Sequence, residues 1–437
     1  MKTICGLRPQ TVACLFYFLC AGLIYSQIMA RMPAIKAQTG IDETGIGMAL
    51  LSLGCGAIVG FVTIGFVSRY VQSKHLIRVA LVALLGVLVL LTFASNLFWM
   101  CGSFALMGLG FSWLEVASNT QAINLEIAYN RSYLASMHAT FSVGALSGSL
   151  LGSAFAFAGV ALGTNFIAAM VLLFVLFVLI GQNLIDDQNN DQVPAQAKET
   201  DAASLGEDTA TTAETEEGVH TYRKNDARLH DDNTTLIAKQ ASTVRRGIPL
   251  FIVVCGFLSL CAYCAEGVVA EWGVLLMTTE KSASEGVAAL VYGCFSLFMA
   301  TARFSSNVIK RYLGDFQLLF GSLLLALCCE LVVINIDNPY VCLVAFAFMG
   351  VGLAPVMPII LSRAGRYPGV RPALASTVIS MLAYSGMLVI PPVLGYVASH
   401  FGLERAFFIP LMAICIVLGG SFLFRKPQHG TATEQSK

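Results

Sequence analysis

Charge is what this sequence has least of. Asp, Glu, Lys and Arg make up 12% of its 437 residues, about half of the roughly 25% usual in soluble domains. A water-soluble fold cannot hide that much apolar surface, and the mean hydropathy of +0.74 agrees, so soluble enzyme folds are excluded. Neither sign is in excess, because 26 basic and 26 acidic residues cancel. That balance leaves no basic footprint for a nucleic-acid partner. The chain also lacks a Gly-rich phosphate loop ending in Lys-Ser or Lys-Thr, and any His/acid cluster at metal-ligand spacing. No cofactor, metal or ATP-driven step is therefore expected. The 13 cysteines fall almost entirely inside apolar stretches and none lies in an expected outer loop, so no disulfide framework is indicated. Cys261 and Cys264 form a CxxC, but in an apolar helix without further ligands they read as small packing residues.

What the chain has instead is long apolar runs. A membrane-spanning helix needs about 20 mainly apolar residues. Twelve stretches qualify, at 11–30, 44–66, 76–95, 98–121, 133–156, 162–184, 248–270, 284–303, 317–336, 339–362, 373–396 and 404–424. The first follows Lys2 and Arg8 but outruns the roughly 7–15 residues of a signal-peptide core, so it reads as an uncleaved helix. With the N-terminus in the cytoplasm, most Lys and Arg face inward, among them Arg69, Arg131, Arg303, Arg311 and Arg363. Only Arg31, Lys36, Lys281 and Arg405 then face outward. That asymmetry puts both termini in the cytoplasm and suits a bacterial inner membrane.

Residues 185–246 break the apolar pattern with acidic, basic and small polar residues and few aromatics. Such a composition cannot bury enough surface to fold alone. The expected organisation is a six-helix bundle over 1–184, a polar, mostly disordered cytoplasmic linker over 185–246, a second six-helix bundle over 247–425, and a cytoplasmic tail over 426–437. The halves repeat. Met107-Gly108-Leu109-Gly110 returns as Met349-Gly350-Val351-Gly352, and Val67-Ser68-Arg69-Tyr70-Val71 parallels Ile309-Lys310-Arg311-Tyr312-Leu313, both 242 residues later. Arg131-Ser132-Tyr133-Leu134-Ala135-Ser136 parallels Arg371-Pro372-Ala373-Leu374-Ala375-Ser376 at an offset of 240. The expected fold is thus all-α integral membrane, with two pseudo-symmetric bundles and a solute path between them near the bilayer midplane.

Ionisable residues inside a span cost at least about 2.5–3.5 kcal/mol and are functional candidates by default. In the fourth stretch Ser112, Glu115 and Asn119 are spaced i, i+3, i+7 and share a helix face. Glu115 there reads as a site that takes up and releases a proton, or as an interhelical hydrogen-bond clamp. His138 lies ~10 Å into the fifth stretch, at a depth similar to Glu115, so a Glu115–His138 pair, direct or through water, is one option and a packing histidine the other. The seventh stretch offers Tyr263 and Glu266 one turn apart for solute contacts, with Glu266 expected in the outer half of the membrane. Glu271 and Trp272 read as an outer interface marker. Glu330 reads equally well as structural. Gln27, Asn124, Tyr292 and Tyr384 are further polar candidates for the solute cavity. Gly144, Gly148 and Gly152 form a double GxxxG that allows close helix approach. Pro355, Pro358, Pro391 and Pro392 should bend their spans.

These features resemble the major facilitator superfamily across both halves. Gly65-Phe66-Val67-Ser68-Arg69-Tyr70 resembles its loop motif after the second helix, with Ser68 where the family prefers Asp. The resemblance implies gating roles for Gly65 and Arg69, and for Arg311 in the second half. Leu114-Glu115-Val116-Ala117-Ser118-Asn119 is similar to the helix 4 motif of fucose permease-like sugar:proton symporters, and Met137-His138 with Phe141-Ser142-Val143-Gly144-Ala145-Leu146 resembles helix 5 of related sugar permeases. What this implies is a proton-coupled symporter, with Glu115 as the protonation site, importing a small polar solute such as a sugar and working as a monomer. Export of a drug or metabolite by proton antiport is the alternative, although Gly148-Ser149 stands where drug antiporters carry Gly-Pro. A non-transporting sensor signalling through 185–246 is a third reading.

Overall fold

The computed structural model describes residues 8–129, 133–187, 249–309, 312–368, 370 and 372–425. The polar segment from 188 to 248, the tail 426–437 and Arg311 lie outside them. Twelve helices are long and apolar enough to cross a membrane: α1 (Pro9–Ala30), α2 (Glu43–Val67), α3 (Ser73–Thr92), α4 (Leu97–Tyr129), α5 (Ser136–Phe157), α6 (Leu162–Leu179), α7 (Leu250–Thr279), α8 (Glu285–Ser305), α9 (Asp315–Asn335), α10 (Pro339–Gly365), α11 (Val378–Phe401) and α12 (Leu403–Phe424). Among the described residues there is no strand, as expected where each backbone polar group must be satisfied within its own helix.

The helices pack as the repeat predicts. In the first half α1 lies on α5, α4 on both α2 and α3, and α3 on α6; in the second, α7 lies on α11, α10 on both α8 and α9, and α9 on α12. The halves meet through α2–α11 and α5–α8, which are themselves symmetry-related pairs.

The offset of 242 read from the glycine motif recurs in the contacts. A side chain at Gly108 would run into the backbone of Leu53 and Ala57 on α2, and one at Gly350 into that of Phe295 and Met299 on α8. Gly110 meets Leu84 and Ala80 on α3; Gly352 meets Ala326 and Ser322 on α9. Each motif therefore places two glycines at two helix crossings, where only a missing side chain lets the backbones approach. The helix caps follow the same offset. Asp42 accepts from the Gly45 amide at 2.9 Å at the start of α2, and Ser284 from Val287 at 3.4 Å at the start of α8. Asn96 accepts from Trp99 at 3.1 Å and Asn338 from Tyr340 at 3.0 Å, opening α4 and α10. Each satisfies an orphan amide of the first turn. Gln121 donates to Ser73 at 2.8 Å across α4 and α3, and the equivalent link across α10 and α9 is Arg363 donating to Asp315 at 2.7 Å.

Some helix ends differ from the sequence expectation. α7 runs on to Thr279, nine residues past the expected 270. This carries Glu271 and Trp272 into the interior, with 6% and 0% exposure; they do not mark an outer interface. The helix of α8 continues to Ile309, so Arg303 lies within a helix rather than in a cytoplasmic loop. α10 breaks between Leu353 and Val356 around Pro355, where the missing amide interrupts the ladder. Pro391 and Pro392 sit inside an unbroken helix, Pro372–Phe401. Asn124 is engaged locally, donating to Asp187 at 2.9 Å, while Asp187 also accepts from the Ser73 amide at 2.6 Å.

At the far end from α1's start, the second half is tied together by Lys281. Its side chain is wholly buried and its ammonium donates to Glu404 at 2.5 Å, Ile334 O at 3.2 Å and Asp337 at 3.3 Å. Burial works against that charge, but the hydrogen bond and charge of Glu404, then of Asp337, outweigh it and hold the pKa above the ordinary lysine value. A raised pKa means the contribution is complete below the unfolded value and is lost only as pH rises beyond the ordinary lysine range. The carboxylates are more exposed than the lysine, so the two sides are not equivalent. Glu404→Gln with Asp337→Asn strands a buried ammonium, at a cost of about 3–5 kcal/mol. Lys281→Met leaves only solvated carboxylates and should cost less. Melting temperatures in detergent check the ranking, and a larger drop for Lys281→Met contradicts it.

Candidate functional site

A cavity of about 520 Å³ lies between the halves. α1, α4 and α5 wall it from one side and α7, α8 and α11 from the other. On α4 the lining residues are Phe111, Leu114, Glu115 and Ser118, an i, i+3, i+4, i+7 stripe. Glu115 is exposed to this cavity, and no hydrogen bond or ion pair to it is found among the described residues.

Its expected neighbours on α4 belong to other surfaces. Ser112 is 2% exposed and donates to Ala57 O and Gly108 O, both at 2.9 Å, so it faces α2. Asn119 does not line the cavity, and its side-chain oxygen is buried without a partner. The spacing identified a broad face of the helix correctly, but the packing of α2 against Gly108 divides that face. Ser118 takes the place assigned to Ser112.

His138 lines the cavity from α5, set edge-on to Phe18 with ring centroids 5.4 Å apart. No direct hydrogen bond joins it to Glu115 among the described residues, although both line the cavity. The charge within its reach is Arg303, from the opposite half. Arg303 donates to Glu266 at 2.7 Å, tying α8 to α7. Tyr263, Glu266, Glu271 and Tyr292 also line the cavity. Sequence reasoning missed Arg303 by counting it as a loop charge. The signal was present: Tyr292, Ser296, Met299 and Arg303 recur at i, i+4, i+7, i+11, and all four line the cavity.

Other expected positions fall elsewhere. Gln27 is fully buried with neither amide atom partnered, and it is not part of the cavity wall. It sits on α1 where α5 approaches, its carbonyl 3.9 Å from a Cβ placed at Gly152. Side chains at Gly144 and Gly148 would overlap the Leu19 and Leu23 carbonyls of α1, and one at Gly152 would meet Ala30 Cβ at 2.9 Å. The side chain of Tyr384 and all of Arg311 lie outside the described residues. Gly65 has open space around it. Arg69 is exposed, its guanidinium 5.7 Å from the Phe66 ring.

The cavity is sealed at one end. Tyr25 meets Tyr292 edge to face, centroids 5.6 Å apart, across the two halves. Ser149 donates to Ala289 O at 2.5 Å and Ser153 to Gly286 O at 2.6 Å, from α5 to α8. Thr44 on α2 donates to Ser399 on α11 at 2.8 Å. Arg31, which follows α1, lies 3.4 Å from Glu285 of α8. All of these lie at or toward the end opposite to where α1 begins and α12 ends. Toward the other end, His138 and Arg303 are exposed. The arrangement is a polar, aromatic-walled chamber closed on one side, able to hold a small solute against the Glu115 and Glu271 carboxyls and the Arg303–Glu266 ion pair.

A sequence model described as Major Facilitator Superfamily matches residues 14–371. An uncharacterized MFS-type transporter of Yersinia pestis is 25% identical over 402 residues, covering 92% of each chain. Membrane protein MosC of Rhizobium meliloti is 24% identical, covering 97% of this chain and 92% of that one. Among solved structures, a mutant of nucleoside transporter NupG superposes with a TM-score of 0.70 at 12% identity, over 96% of this chain and all of the other. A POT family transporter in complex with 5-aminolevulinic acid gives 0.67 at 14% identity, over 97% and 98%.

Proposed function

Because the chain belongs to the Major Facilitator Superfamily, and so is a multi-pass membrane transporter rather than an enzyme, we propose that it is a secondary active carrier that imports a small polar solute together with a proton. Glu115 carries this reading: a carboxyl without a partner among the described residues, inside a span, facing a cavity between the two halves. An unpaired charge in that setting is costly, and taking up a proton removes the cost. The halves would alternate between the state seen here, closed at the Arg31–Glu285 end, and one closed at the Arg69 end. With both termini in the cytoplasm, as the Lys and Arg distribution supports, the present cavity faces inward, and the membrane is the bacterial inner membrane. The fold completes its cavity within one chain, which favours a working monomer.

The solute class follows from the cavity lining. Tyr25, Phe111, Phe141, Tyr263 and Tyr292 offer rings, and Glu115, Ser118, Ser142, Glu266 and Arg303 offer hydrogen bonds and charge. Such a mixture suits a small ring-bearing polar molecule, a sugar or a nucleoside, and the structural neighbours include a nucleoside transporter. The test is a melting-point screen of the purified protein against hexoses, pentoses, sugar acids, nucleosides, amino acids and cationic drugs. It is run at mildly acidic and at mildly alkaline pH. A ligand that binds only the folded state raises the melting point with its occupancy. A shift by one sugar or nucleoside that depends on pH is the expected result. Shifts confined to apolar cations point to export by antiport instead. A pH-independent shift removes Glu115 protonation from the binding step.

A further inference from the structure

Glu330 has no part in the cavity, yet it is the most deeply buried carboxyl in the described chain. It lies in the last third of α9, with 0% exposure and neither oxygen hydrogen-bonded among the described residues. The fold does not require a carboxyl there. The register between the halves is 242 residues at Leu84/Ala326 and Ala80/Ser322, on α3 and α9 themselves. One turn further, the same offset pairs Glu330 with Leu88, which is also 0% exposed. An apolar side chain therefore fills the equivalent position in the first half, and α9 carries an acid where packing alone is served by leucine. An ionised carboxyl buried without a partner costs far more than a neutral one, so holding a proton removes most of that cost.

Cys264 on α7 lines the cavity and lies within electrostatic reach of both Glu330 and Glu271. Glu271 follows Cys264 by seven residues, two turns along the same helix face, and also lines the cavity. On α9 itself the neighbouring titratable groups are Cys328 and Cys329. The charged residues of α10 and α12 are at helix ends: Arg363, paired with Asp315, and Glu404 and Arg405 near the Lys281 cluster. Lys281 reaches α9 at Ile334 O, one turn beyond Glu330, but its ammonium is held by Glu404 and Asp337.

We propose that Glu330 is a proton-holding site behind the cavity wall of the second half, exchanging with the cavity past Cys264 through Glu271. It is separate from Glu115, which faces the cavity from the first half, so the carrier would hold protons in both halves. The proposal needs the membrane-transport reading but not proton coupling at Glu115.

The experiment needs no solute. Infrared difference spectra of the full-length protein in lipid report protonated carboxyls through their C=O stretch, which moves when the proton is exchanged for deuterium. The wild-type protein at neutral pH should show such a band. Glu330→Gln and Glu330→Leu should each lose the same component of that band while keeping their melting point, leucine being tolerated because Leu88 occupies the matching place. Glu115→Gln should keep it. Transfer to heavy water should shift the band in the wild type, and Glu271→Leu should slow that shift several-fold. A wild-type-minus-variant spectrum with no such band overturns the site, and exchange that is equally fast in Glu271→Leu overturns the route. Loss of the band in Glu115→Gln alone would place the proton at Glu115 and leave none for Glu330.

Discussion

Oxidising a Thr44→Cys/Ser399→Cys double variant is expected to abolish uptake, and reduction to restore it. The two hydroxyls are 2.8 Å apart, on helices from opposite halves. Gly47 and Gly395 bring the α2 and α11 backbones into contact beside them. Cysteines placed there come within reach of the roughly 3.5–4.5 Å Cβ separation that a disulfide requires. A covalent bond at the closed end would hold that end shut whatever happens at the other. If the solute crosses by rocking of the halves, the closed end must open in each cycle, so a complete cross-link stops transport completely. Uptake of the solute found by the melting-point screen is the readout, with each single cysteine variant as control because Cys55, Cys328 and Cys415 are exposed native thiols. Full uptake by a quantitatively cross-linked protein would show that this end need not open, and the rocking mechanism would fail with it.

The same contacts show why the architecture was legible in the sequence. Twelve apolar runs of spanning length give the helices, and the Met-Gly-x-Gly pair gives the internal symmetry. Gly108 and Gly350 hold equivalent helix crossings, so the repeat in sequence is a repeat in packing. Hydropathy cannot give orientation about the helix axis. Ser112 and Glu115 lie three residues apart and share a broad face, but α2 covers one edge of it and takes Ser112 away from the cavity. Arg303 was hidden for a different reason. Counting Lys and Arg near span ends assigns charges to loops, and the α8 helix runs on past its apolar stretch to Ile309. Glu271 was misjudged in the same way at the end of α7. In both cases a charged residue ended the hydropathy signal without ending the helix, because the charge faces a protein interior instead of lipid. Intramembrane charges are therefore found more safely from helical stripes than from span boundaries.

Glu115→Gln separates coupling from carriage. Glutamine keeps the size of a neutral glutamic acid and cannot exchange a proton. The variant should still bind solute and still exchange it across the membrane when solute is present on both sides. It should lose accumulation driven by a proton gradient, so that uptake stops at equal concentrations. Its binding should also lose the pH dependence expected of the wild type in the melting screen. Glu115→Asp, which keeps an ionisable group on the same helix face, should retain some concentrative uptake. The ion pair across the cavity is predicted to behave differently: Arg303→Ala releases Glu266 from its 2.7 Å partner and should weaken binding before it alters coupling, because Glu266 is neutralised by a fixed charge instead of by a mobile proton. If Glu115→Gln accumulates solute as the wild type does, coupling does not reside in the first half. Glu271 and Glu330, the buried acids of the second half among the described residues, would then be the next candidates to carry it.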